Sequence, residues 1–201
     1  MKRQAIKRET DLQIMTEWIS EGSRVLDLGC GRGILLEHLN RANDCYAVGV
    51  DSSLEKILGC VKRGVPAYMG DIEEMLSVFP DGHFDWVVCS RTLQELGNPK
   101  KVILEALRVG KHFAIGFVNY GFWANRVSMA MHGHRVRNEV FPNAWQDSRP
   151  TNPLSVSDFE AFCERESLRI TRRHFLSADW KTPCTVLPNL FAGYVLFEVT
   201  R

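Results

Sequence analysis

Arg24-Val25-Leu26-Asp27-Leu28-Gly29-Cys30-Gly31-Arg32-Gly33 decides how this chain is read, because an apolar strand breaks there into three glycines at alternate positions. Glycine lacks the Cβ that blocks close approach and tolerates positive φ, so the amides after Leu28 can turn toward a ligand at the start of the next helix. A second apolar run, Tyr46-Ala47-Val48-Gly49-Val50, ends in Asp51, eighteen residues after Gly33. An acid at that distance in a strand-helix-strand unit is placed to accept hydrogen bonds from the two ribose hydroxyls of a nucleoside. The dinucleotide fingerprint is Gly-x-Gly-x-x-Gly, and here the third glycine comes one residue early.

The 201 residues are enough for one well-filled core, and no Pro/Gly/Ser-rich linker divides them, so a single domain over 1–201 is expected. Lys and Arg total 25 against 24 Asp and Glu, which removes any overall field favouring nucleic acid or an anionic membrane. None of the six cysteines forms a Cys-x-x-Cys pair, the usage of a reduced, cytoplasmic chain. The N-terminus is too polar for a signal peptide, and no apolar run approaches the roughly twenty residues that cross a bilayer.

Alternating strands and helices follow from periodicity. A first helix is expected over about Thr10 to Ser20, with Leu12, Met15 and Ile19 on one face and Ile14 under Trp18. After the Arg24 to Leu28 strand, Ile34, Leu35, Leu36 and Leu39 give the next helix its buried stripe. Leu54, Ile57, Leu58 and Val61 repeat at i, i+3, i+4 and i+7, an amphipathic helix opened by Ser52 or Ser53 and stopped by Gly64. A short strand, Pro66 to Met69, and a brief helix, Ile72 to Val78, precede Phe84 to Ser90, an almost wholly apolar strand expected at the sheet centre. Asn98 before Pro99 caps a helix to about Arg108, and Lys111 to Val118 is the fifth strand. Repeated crossovers of this kind make a parallel, doubly wound α/β sheet. Ser157-Asp158-Phe159-Glu160 fits a capping box, with Phe159, Phe162 and Cys163 inward. Leu168 to Leu176 and about Leu190 to Thr200 are expected to close the sheet as an antiparallel pair with no helix between them.

Seven strands, the glycine loop and the acidic end of the second strand resemble the class I S-adenosylmethionine-dependent methyltransferases, a Rossmann-like fold with an antiparallel last strand. That resemblance implies that Asp27, Gly29, Cys30, Gly31 and Gly33 lie under the methionine part of S-adenosylmethionine or S-adenosylhomocysteine. It further implies that Asp51, with Ser52 beside it, holds the ribose, that Gly70, Asp71 and Ile72 reach the adenine edge, and that Ser90 borders the methionine moiety and faces the substrate. Outside those motifs, Ser90-Arg91-Thr92-Leu93-Gln94, Leu107-Arg108-Val109-Gly110, Asn119-Tyr120-Gly121-Phe122-Trp123 and Asn189-Leu190-Phe191-Ala192 are similar to the methionine biosynthesis family MetW. This likeness implies a role in methionine synthesis beside a homoserine O-acyltransferase. The chain is a divergent member on this reading: Arg91 stands where a Gln is usual, Val118 where a Pro is usual and Asn152 where a His is usual.

Transfer of a methyl from a sulphonium is an in-line displacement, so placement of the acceptor is the main requirement. A positioned base would add roughly 10²-fold to 10⁴-fold. Glu95, His132 and His134 are the candidate bases. No Asn-Pro-Pro-Tyr-like motif follows the fourth strand, which argues against methylation of nucleobase or glutamine amino groups. His132-Gly133-His134 lacks a third ligand of convincing spacing, so a solvated loop is expected and no metal. An insertion over about 120–153 interleaves Arg126, Arg135 and Arg137 with Tyr120, Phe122, Trp123, Phe141 and Trp145. Basic and aromatic interleaving can hold single strands. With net charge near zero, a lid or an interface is the better expectation, the Trp123, Val127 and Met131 stripe packing over the cleft or on a partner with the arginines outward. Cys30 is expected to be a packing residue, and Lys2, Arg3, Lys7 and Arg8 a frayed, solvated end. Two functions are carried forward: a ligand-binding accessory of the acyltransferase, and a methyltransferase of a small-molecule acceptor.

Overall fold

The structure is a computed structural model that describes residues 2–135, 137–138, 140–147 and 151–201, leaving aside the side chains of residues 2–9, Ala42 and Trp145. The expectations for Lys2, Arg3, Lys7, Arg8 and the Trp145 side chain fall outside the described residues. In chain order the elements are α1 (Lys2–Trp18), β1 (Arg24–Leu28), α2 (Ile34–Ala42), β2 (Tyr46–Asp51), α3 (Leu54–Arg63), β3 (Ala67–Met69), α4 (Ile72–Val78) and β4 (Phe84–Ser90). There follow α5 (Pro99–Val109), β5 (Gly110–Val118), α6 (Trp123–His132), α7 (Val156–Arg165), β6 (Arg169–Leu176), α8 (Pro188–Phe191) and β7 (Tyr194–Thr200), with short 3-10 turns at Leu93–Glu95 and Trp145–Asp147.

Seven strands form one sheet in the order β3-β2-β1-β4-β5-β7-β6. The pairs from β3 through β5 are parallel, and β7 runs antiparallel to both β5 and β6. Alternation along the strands builds two apolar layers. Leu26, Leu28, Val87 and Cys89 face α4, α5 and α7, while Val25, Trp86 and Val88 face α1, α2 and α3. Because the chain runs outward from β1 to β3 and then crosses back to β4, the strand order reverses between β1 and β4. A crevice opens at the carboxyl ends of strands at such a switch point.

Several expectations change. The first helix starts near Lys2 and ends at Trp18, earlier at both ends than its apolar periodicity suggests, yet Ile14, Met15 and Ile19 are buried as expected. On α2, Leu35, Leu36 and Leu39 are buried but Ile34 is 42% exposed. On α3 only Ile57 and Cys60 are buried, and Leu54, Leu58 and Val61 face solvent, because the three-residue β3 beneath gives that helix little sheet to cover. The capping box at α7 pairs Ser155 with Asp158, not Ser157 with Glu160, since Ser157 already lies inside the helix. A short α8 separates β6 from β7, whose pairing begins at Tyr194. On helix α6, Trp123, Val127 and Met131 are exposed, so that stripe is uncovered within this chain, whereas Asn125 and Ser128 are buried. Arg126 is drawn back onto the main chain at Gly121 and Asn189.

Asn119, just after β5, joins the end of that strand to the α8 segment and to the turn that follows it. Its fully buried amide donates to the carbonyls of Ala192 (2.8 Å) and Asn189 (3.2 Å), and its oxygen accepts from the Gly121 amide (2.9 Å). Asn119→Ala leaves these groups unpaired, at about 1–3 kcal/mol each. A loss of about 2–4 kcal/mol in urea unfolding is the expected result, and a midpoint equal to that of the unaltered protein would contradict this role.

Candidate functional site

At the switch point, β1 gives way to the glycine turn while its last amides still pair with β2: the Gly29 and Cys30 amides both donate to the Val50 carbonyl, at 2.8 and 3.1 Å. Gly29 has φ +77°, and a Cβ there would collide with the Thr92 side chain. Gly31 has φ +58° and open space where its Cβ would stand. The turn is therefore closed at its base and bare toward the cleft.

Asp51, 3% exposed at the end of β2, ties this turn to α3. Its Oδ2 accepts from the Gly31 amide (3.0 Å) and the Lys56 ammonium (3.1 Å), and its Oδ1 from the Ser53 amide (2.9 Å). Asp27, also buried, has no hydrogen bond to its carboxylate among the described residues. Burial first, and the negative charge of Asp51 second, push the Asp27 carboxyl up to about 7. Cys30 lies over Cys60 with its sulfur 4.0 Å away, and burial pushes both thiols up. A thiol so shifted is inert, in keeping with the packing role expected for it.

Two cavities share this floor. A cleft of about 710 Å³ is lined by Asp27, Gly29, Cys30, Gly31, Ser90 and Asp11 among others. A neighbour of about 350 Å³ is lined by Asp51, Ser52, Gly70, Asp71 and Ile72. Gly29, Lys56, Thr92 and Glu95 border both. Ten of the eleven sequence-chosen positions thus meet along one crevice. Gly33 does not: it lines neither cavity and instead caps α2, where a Cβ would strike Val65. The carboxylate of Asp71 caps α4 through the Glu73 and Glu74 amides. Of the candidate bases, Glu95 is at the junction, while His132 and His134 stack on each other at the end of α6 and line none of the cavities described. Among the described residues no three His, Cys, Asp or Glu are grouped as a metal ion would require.

Sequence reasoning missed the far wall. Ser90 Oγ shares hydrogen bonds with Tyr194 Oη (3.0 Å) and Asp11 Oδ2 (3.3 Å), and Arg91 donates to the same Asp11 oxygen at 2.9 Å. The Arg91 guanidinium lies over the rings of Trp180 and Tyr194. Asp11 is 1% exposed and its other oxygen, Oδ1, has no hydrogen-bond partner among the described residues. Burial raises its carboxyl against the pull of Arg91. Partners from α1, β4 and β7 lie about eighty to a hundred positions apart, and no local pattern joins them. Lys56, five residues after Asp51 on the first turn of α3, had a local signal in its spacing.

A family model described as methionine biosynthesis protein MetW matches residues 9–199. The chain belongs to the MetW family. This MetW member is 33% identical over 136 residues to the bifunctional methionine biosynthesis protein MetXA/MetW of Rhodopirellula baltica, covering 64% of the chain and 22% of that relative. Over 107 residues it is 35% identical to a ubiquinone biosynthesis O-methyltransferase of Dechloromonas aromatica, covering 47% of the chain and 45% of the relative. The chain therefore spans less than half the length of these relatives. Its fold is that of the class I methyltransferases: the magnesium protoporphyrin IX methyltransferase of Synechocystis, solved with bound S-adenosylhomocysteine, superposes with a TM-score of 0.69 at 16% identity, over 100% of this chain and 86% of that one.

The Asp27 shift carries a stability consequence of definite sign. A carboxyl held above its unfolded value stabilises the fold fully below the unfolded value near 3.8, and that contribution is lost as pH rises through about 7. The ligand-free protein is expected to lose melting temperature between pH 4 and pH 7 from this source, and Asp27→Asn is expected to flatten the slope. Identical pH profiles for the two proteins would remove Asp27 as its origin.

Proposed function

We propose that this MetW family protein binds S-adenosylmethionine, or S-adenosylhomocysteine, across the carboxyl ends of β1 and β2 and works with a homoserine O-acyltransferase in methionine synthesis. The observation that carries the binding reading is the pairing of a bare Gly31, facing open space, with a buried Asp27 carboxylate that has no hydrogen-bond partner among the described residues. A backbone cradle and an uncompensated acid fit a cationic ligand. In this reading the Cβ-free face of the turn at Gly31 lies against the methionine part, with Asp27, Cys30 and Ser90 around it. Asp51 exchanges part of its bond to Lys56 for the ribose hydroxyls, Ser52 borders the sugar, and Gly70, Asp71 and Ile72 face the adenine edge. Gly33 supports the turn from below.

The partner reading rests on family membership and on the relative that joins MetXA and MetW in one chain. Six buried, free cysteines accord with a reducing, cytoplasmic setting, and no helix among the described residues is long and apolar enough to cross a membrane. The net charge of +1 gives no reason to add nucleic acid to the partners.

A second reading, methyl transfer to a small molecule, is favoured by Glu95, which borders the cleft and the cavities on either side of it. When bound, the ligand's sulphonium supplies an electrophilic methyl. Glu95 is then the residue placed to accept a proton from an acceptor hydroxyl, and the far wall formed by Ser90 and Arg91 limits where that acceptor lies. Formation of S-adenosylhomocysteine with a candidate acceptor separates the two readings.

Calorimetry tests the shared pocket. Gly31→Val, which adds a branched side chain at positive φ inside the cleft, and Asp51→Ala are each expected to weaken S-adenosylmethionine binding about tenfold or more, a loss on the order of 1.4 kcal/mol. Unchanged dissociation constants would reject the site. Because Asp27 ionises near pH 7, the sulphonium ligand is expected to gain affinity over neutral-sulfur S-adenosylhomocysteine as pH rises from 6 to 8. An affinity ratio that is flat across that range would detach Asp27 from the ligand. Co-purification with the acyltransferase, followed by assay of that enzyme at varied S-adenosylmethionine, tests the partner.

A further inference from the structure

The crevice consists of two cavities joined at Gly29, Lys56, Thr92 and Glu95, which border both. A ligand that lays its methionine part in the larger cavity and its ribose in the smaller has one atom bonded to both parts, the sulfur. The residues of the junction are therefore the ones beside it. A sulphonium has no N–H or O–H, and its positive charge is spread over the sulfur and the three attached carbons. What recognises it is an acceptor oxygen that points no proton at it, through charge attraction and weak C–H···O contacts. The neutral sulfur of S-adenosylhomocysteine offers that oxygen no charge and turns a further lone pair toward it.

Of these residues, Thr92 meets the requirement. Gly29 brings no side chain. The Lys56 ammonium is held on Asp51 Oδ2 at 3.1 Å and has the sulphonium's own sign. Glu95 is exposed, where a charge acts through water and weakly. Thr92 is half-buried, and its side chain fills the space beside Gly29 in which a Cβ would stand. Its hydroxyl donates to the Ser90 carbonyl at 3.2 Å, and among the described residues nothing donates to its oxygen. The proton is thus committed to the main chain while the lone pairs are open. The Ser90 hydroxyl, by contrast, already shares bonds with Tyr194 and Asp11. Neighbouring backbone fixes the position: the Thr92 carbonyl accepts from the Glu95 amide (2.9 Å) at the start of the 3-10 turn, and the Arg91 amide donates to the Gly116 carbonyl (2.7 Å). A dipole held in this way needs no reorganisation when a cation arrives.

We propose that the Thr92 hydroxyl oxygen faces the sulphonium and makes the crevice prefer S-adenosylmethionine to S-adenosylhomocysteine. The inference rests on the reading of the crevice as the binding site of these two ligands, and its test separates the failure of one from the failure of the other.

Both dissociation constants are measured by titration calorimetry at one fixed pH, for the unaltered chain and for Thr92→Val, which keeps the shape against Gly29 and removes the oxygen. The ratio of S-adenosylmethionine affinity to S-adenosylhomocysteine affinity is expected to fall about fivefold in Thr92→Val and to stay within about twofold of the unaltered value in Thr92→Ser, which keeps the hydroxyl. A second readout is the S-methyl proton resonance of bound S-adenosylmethionine, expected to lie further downfield in the unaltered protein than in Thr92→Val. An equal ratio in the Val variant and the unaltered protein, an equal fall in the Ser variant, or a methyl resonance that does not move would each overturn the role of Thr92 and leave the binding site standing. If neither ligand binds the unaltered protein, the reading of the crevice fails and this inference is overturned with it. Should Thr92→Val not fold, Thr92→Ala takes its place against Thr92→Ser, with the same results deciding.

Discussion

The carboxylate of Asp51 gathers the backbone of the glycine turn, the start of α3 and the Lys56 ammonium onto two oxygens at the carboxyl end of β2. A buried acid with three donors is far better satisfied than one left bare, and charge-assisted bonds are about twice as strong as neutral ones. That arrangement keeps Gly31 turned toward the cleft. It also charges the cleft floor, since the same negative charge raises Asp27 a short way along the sheet. The turn is thus held by one acid at the cost of making a second acid reluctant to ionise.

The opposite wall is built on different principles. There Asp11, Ser90, Arg91 and Tyr194 draw together the first helix, a central parallel strand and the antiparallel last strand. Burial of the whole group pushes the Tyr194 hydroxyl up as well as the Asp11 carboxyl. A network of this kind is stable only while each member remains paired. It explains why Arg91 accepts left-handed backbone: the turn out of β4 has to deliver a guanidinium onto two rings and one carboxylate together.

Much of the fold was legible because helix and strand periods differ and because glycine and proline mark the boundaries. Asn98 and Pro99 open α5 as expected, and the Oδ1 of Asn98 accepts from the Lys101 amide. The nearly unbroken apolar run of β4 lies at the sheet centre for the reason its composition suggested. Periodicity could not say which side of an amphipathic helix would find a partner. The Leu54, Leu58 and Val61 stripe reads as core and lies in water, and on α6 Asn125 and Ser128 turn inward while the Trp123, Val127 and Met131 stripe stays exposed. The glycine turn and the Asp51 position were local signals and were readable. Asp11 and Arg91, joined across eighty residues, were not.

The insertion of β7 between β5 and β6 sets an order of events during synthesis. The five parallel strands can pair as they leave the ribosome, each beside a neighbour already made, but β6 has no hydrogen-bonded neighbour until Tyr194–Thr200 follows it. The same strand pairs with β5 across about eighty positions, and contacts of such sequence separation form late and slowly. Tyr194 also closes the wall around Ser90, so a nascent chain has a completed glycine turn well before it has a completed crevice. The last strand to emerge is therefore the one that turns a folded scaffold into a finished receptor.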